Sequence, residues 1–154
     1  MNKLIPIDVF YRDILVVFGD EKTLRKSLLK YHCKEEIENL VNEVNFSNKG
    51  SVVYDSYNKA FFLWMPDKPK TAQDVGFLMH EVFHATCAVM SAIGITLSDN
   101  SEEVYAYLIG FLTEKILDKL SISFSCGQEL VSKQKQQLTS PLEGSLDSSE
   151  AQMQ

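Results

Sequence analysis

Histidine is scarce in this chain, with three residues in 154, and the three cysteines Cys33, Cys87 and Cys126 stand too far apart to form a disulfide framework. Cationic charge is also short. Fifteen Lys and Arg face 21 Asp and Glu, for a formal net charge of −6 and a pI near 5.0, and the cations form no stripe, so nucleic acid is not an expected partner. There is no uninterrupted apolar run of the roughly eighteen residues that a membrane span needs. Asp8 breaks the N-terminal stretch MNKLIPIDVFYRD, so no signal peptide and no membrane partner are expected, and the expected compartment is the cytoplasm. Hydrophobic residues make up 45 %, enough for one sizeable core and too few for two ordinary domains. After Cys126 the composition turns to Gln, Ser, Glu and Lys, which predicts one domain over 1–126 and a flexible polar tail over 127–154.

Two of the three histidines sit together. Residues 80–84 read HEVFH, and on a helix of 3.6 residues per turn His80 and His84 project from one face, close enough to grip a single ion. Glu81 then points to the flank, where a water held by that ion would lie. This is the spacing of a helical zinc site. Thr71 and Asp74 predict a capped start and Gly94 a stop, giving a helix over about 72–93. Phe77, Leu78, Met79, Val82, Phe83, Ala85, Cys87, Val89 and Met90 make that helix apolar on nearly all sides, so it is expected to be buried. Cys87 is expected to fill core rather than bind metal.

A catalytic zinc takes three protein ligands and leaves one position open. Met90 stands where a metzincin would carry its third His, and Cys87 where it would carry Gly. His32, beside Cys33 in a charged stretch, reads as a surface histidine. A carboxylate from the following helix is the economical alternative. That helix is predicted from the cap cluster Ser98-Asp99-Asn100-Ser101 through Leu120, and Glu102 and Glu103 open it. Either acid could serve the helix N-terminus alone. Ala106, Gly110 and Thr113 form a small-residue stripe suited to close helix packing, and Glu103 lies one turn before Ala106.

HEVFH, eighteen further residues, and then Glu103-Val104-Tyr105-Ala106-Tyr107 resembles the gluzincins, the thermolysin-like clan of zinc peptidases. The resemblance extends to minimal single-domain gluzincins and to small zinc proteins of phages and prophages. It implies His80, His84 and Glu103 as ligands of Zn²⁺, with Glu102 as the fallback, and Glu81 as general base. Where the clan often has an Asp bonded to a ligating His, four residues after the ligand Glu, this chain has Tyr107.

The rest of the pattern fits an α+β, zincin-like fold: a small N-terminal sheet with helices, then the HEVFH helix packed on the glutamate helix. Ile5 to Phe18 predicts one or two strands, Asp20 to about Tyr31 a helix, and Ile37, Leu40, Val41 and Val44 a second helical stretch. Ser51–Tyr54 and Lys59–Met65 predict a hairpin turning at Tyr57-Asn58. Its second strand could be the exposed edge along which gluzincins lay a substrate peptide.

The activity this implies is hydrolysis of a peptide bond in a peptide or protein substrate, with Glu81 taking a proton from water and returning it to the leaving amine. Tyr107 or Tyr105 would polarise the carbonyl oxygen. Resemblance to phage zinc peptidases suggests one regulatory protein as the target. Deformylases would need an upstream Cys motif, and di-iron bundles a second Glu-x-x-His, and both are missing. The remaining alternative is a non-catalytic zincin-fold module that binds a host factor.

Overall fold

The computed structural model describes residues 2–120, all within one compact unit; the expected polar tail, 127–154, lies outside them. The fold is α+β. Strands β1 (Asn2–Ile7) and β2 (Arg12–Phe18) are joined by a 3-10 turn at Asp8–Phe10, and helices α1 (Glu21–Leu28) and α2 (Lys34–Asn42) follow. Next come β3 (Ser51–Asp55), β4 (Ala60–Met65), α3 (Ala72–Ala92) and α4 (Glu102–Leu120).

The four strands form one mixed sheet in the order β1-β2-β4-β3, with β2 and β4 parallel and the two outer pairs antiparallel. Helices cover both faces. Ile14, Val16, Phe18, Phe61, Leu63 and Met65 face α3 and α4, whereas Leu15, Val17, Phe62 and Trp64 face α1 and α2. Burial on two sides explains why ILVVF and FFLWM lack polar alternation. It also corrects one expectation: β4 is not an exposed edge, because a strand this apolar is stable only with neighbours on both sides, and here they are β2 and β3. Among the described residues the free edges belong to β1 and β3.

The helix ends follow their caps. Thr71 Oγ1 accepts from the Asp74 amide at 3.1 Å while the Asp74 carboxylate accepts from the amides of Lys70 at 3.1 Å and Thr71 at 2.9 Å, and the Lys70 bond first, then those with Thr71, hold the Asp74 carboxyl below the usual carboxylate range. α3 ends at Ala92, and two residues on Gly94 has a φ of +79°, which suits a residue without a Cβ. By length and composition α3 is apolar enough to cross a membrane, but its Leu78, Val82, Ala85 and Val89 are fully buried in this core. α3 and α4 run antiparallel: the Tyr105 hydroxyl donates to the Ile95 carbonyl at 3.0 Å, and the Thr113 hydroxyl to Met79 Sδ at 3.4 Å.

His32 is not a surface residue. Its side chain is 2 % exposed in the turn between α1 and α2, with Nε2 3.0 Å from Asp55 Oδ2 and Nδ1 3.4 Å from Glu36 Oε2. The charges around it face inward because Asp55, 5 % exposed, ends β3 and accepts from the amides of Tyr57 and Asn58 to close the hairpin turn. Replacing Asp55 by Ala removes one of the two carboxylates that meet the buried imidazole and unties that turn. Urea unfolding should show a loss of about 3 kcal/mol; a loss below about 0.5 kcal/mol, the level of surface substitutions, would mean that the cluster contributes nothing.

Candidate metal and catalytic site

α3 was expected to be buried all round, and it is not. The sheet takes one side and α4 another, so a third side stays open and carries Gln73, Gly76, His80, Phe83 and His84 to the surface. One step round the helix from His80, Glu81 turns inward and is 9 % exposed. The HEVFH segment thus presents two imidazoles outward and one carboxylate sideways, as the 100° step between successive helical residues requires.

The two rings converge. His80 Nε2 and His84 Nε2 lie 3.0 Å apart, with ring centroids at 4.5 Å and planes crossing at 83°. Two nitrogens bound to one tetrahedral Zn²⁺ at about 2.05 Å sit about 3.3 Å from each other, so this separation fits a shared ion. Neutral imidazoles this close can otherwise satisfy each other only with one N–H donated to one lone pair. The pair is accessible and both nitrogens point to the same spot.

Glu81 and His80 line a cleft of about 740 Å³ whose remaining wall is Ser47, Asn48, Lys49 and Gly50 from the α2–β3 loop, with Gln73, Gly76 and Phe77 from α3. Burial pushes the Glu81 carboxyl above its ordinary value, and the charges of His84 and His80 partly oppose that rise. A carboxylate shifted upward is a better proton acceptor near neutral pH.

The other expected residues lie elsewhere. Glu102 and Glu103 are exposed on the first turn of α4, and among the described residues no group of three His, Cys, Asp or Glu side chains is placed to hold a metal. A carboxylate at a helix start is well solvated and favoured there by the helix dipole. Tyr107 is 71 % exposed and lines a separate groove with Pro6, Val9 and Phe111, so it does not face the cleft. Tyr105 is buried with its hydroxyl bonded to Ile95. Neither tyrosine is placed to polarise a carbonyl at Glu81. Cys87 packs against the core, and burial raises its thiol, which suits filler rather than a thiolate ligand.

The wall residues 47–50 were missed. Asn45, Asn48 and Gly50 mark a loop in the sequence, but nothing local says that the loop folds over α3.

A testable pH effect follows from Glu81. Because its folded-state value is raised, the protonated form favours the fold; that contribution is present at acidic pH and is lost as pH rises through the raised value. In metal-free protein, Glu81→Gln should therefore melt above wild type at pH 7, and the difference should shrink on acidification. Thermal melts across that range check it, and an advantage that grows towards acid would mean that the charged form is the stabilising one.

The chain matches no protein-family model, and neither curated proteins nor solved structures show significant similarity to it.

Proposed function

We propose that the protein is a zinc-dependent peptide hydrolase of zincin-like fold and gluzincin type. The observation that carries this reading is the convergence of His80 Nε2 and His84 Nε2 at 3.0 Å beside a buried Glu81 on the wall of an open cleft. His80 and His84 would hold Zn²⁺, with Glu103, exposed on the first turn of α4, as the proposed third donor. The ion, when bound, supplies Lewis acidity towards water and a carbonyl oxygen. Glu81 takes the proton from the attacking water and passes it to the leaving amine. Its raised affinity for protons suits both halves of that transfer.

The substrate is a peptide or protein segment. Among the described residues β3 has a free edge, and it starts one residue after Gly50 on the cleft wall, so an extended segment could add to it through main-chain bonds. By the resemblance to phage zinc peptidases, one regulatory protein in the cytoplasm is the proposed target. A second reading, a non-catalytic module that binds a host factor, is favoured by one observation: no third acidic, Cys or His donor joins the pair among the described residues.

Metal analysis after dialysis separates the two. One equivalent of Zn²⁺ should remain in wild type and in Glu102→Ala, and should be lost or weakened in Glu103→Ala and in His80→Ala. Retention by Glu103→Ala with loss by Glu102→Ala would exchange the two acids. Against a cleaved substrate, Glu81→Gln should keep the metal and lose several powers of ten in rate. An undiminished rate would remove Glu81 from the chemistry, and a zinc-free wild type would favour the binding module.

A further inference from the structure

Gly50 stands against Glu81 more closely than any side chain would allow. A Cβ built at position 50 would lie 2.6 Å from Glu81 Cδ and 2.8 Å from Oε1, with Cγ also inside contact distance. Both main chains are tied to packed elements. Gly50 is buried, the next residue, Ser51, pairs with Trp64 in the sheet, and Phe46 at the other end of the loop packs edge-on against the Trp64 ring with centroids 5.0 Å apart. Trp64 is itself tied to Gly19 by a 2.7 Å bond from its indole N–H. On the other side, Leu78 and Val82 flank Glu81 along α3 and are fully buried. A methyl group at position 50 would therefore be accommodated by the one part free to rotate, the Glu81 side chain.

We infer that Gly50 is a positioning residue: its bare Cα forms the surface against which the Glu81 carboxylate is held beside the His80–His84 pair. The φ at Gly50 is not in the left-handed region, so the main chain does not demand glycine there. Space for Glu81 does. The inference rests on the proposed metal site for its consequence but not for its geometry.

Gly50→Ala, Glu81→Ala and the double variant test it in the full chain, with Co²⁺ as the probe. Gly50→Ala should bind as much Co²⁺ as wild type, because both imidazoles are untouched, yet its visible absorption spectrum should shift from that of wild type towards that of Glu81→Ala. The double variant should match Glu81→Ala. A role confined to stability would leave the spectrum unchanged. A wild-type spectrum in Gly50→Ala, while Glu81→Ala differs from wild type, would overturn the inference. Urea unfolding of the same four proteins supplies a readout independent of metal: the effect of Gly50→Ala should change when Glu81 is absent, and equal effects in both backgrounds, including failure to fold in both, would refute the contact. Wild type that holds no Co²⁺ would defeat the metal reading alone, and the unfolding cycle would still decide for or against Gly50.

Discussion

Burial of β2 and β4 on both faces sets the position of everything that bears on function. Two apolar strands lying parallel at the centre of the sheet need a helical layer above and below, and α3 is the helix whose Leu78, Val82, Ala85 and Val89 supply the layer on one side. Once those four residues are buried, the helical repeat leaves no choice about the others. His80 and His84 must face outward, and Glu81 must face the edge of the sheet where β3 begins. The apolar packing and the polar site are thus two sides of one rotational setting, and a change that rotated α3 would disturb both.

The site also shows how burial and charge work against each other. Glu81 is nearly enclosed, which penalises its charged form, while the adjacent imidazoles moderate that penalty. A carboxylate in this position is neither a comfortable surface charge nor a satisfied core group. Such tension is typical of groups that move protons, though ion-pair networks produce it as well. The His32 cluster is the contrasting case. There a buried imidazole meets a carboxylate at each ring nitrogen, and those carboxylates also serve the backbone through the hairpin-turn amides and the Cys33 amide, so the arrangement is structural.

Features written in neighbouring residues were legible beforehand. The Thr71 cap, the Gly94 stop, the Tyr57-Asn58 turn and the facing of His80 with His84 each depend on residues within one or two turns, and the element order of strands, helices, hairpin and two long helices follows from local periodicity. What stayed hidden depended on distant partners. The placement of β4 inside the sheet requires β2, 47 residues earlier, as in the pairing of Phe18 with Met65. His32 lies in a charged stretch of the sequence, between Lys30 and Lys34, and is buried in space because Asp55 reaches it from another element. The closeness of Gly50 to Glu81 likewise spans two elements, and Tyr107 lines a groove of its own because helix spacing fixes a face but not what that face meets.

β3 is five residues long, and both its ends are anchored: Gly50 against α3 at one end, and the Asp55–His32 cluster at the other. A free edge of that length offers only a few outward main-chain groups, since alternate residues point away from the existing ladder. Such an edge is too short to template an extended stack of identical sheets, which is the hazard that long bare edges carry. With its ends held, β3 also has little freedom to slip in register. The same brevity that limits how much chain could be captured there therefore protects the molecule from aggregating through its own exposed strand.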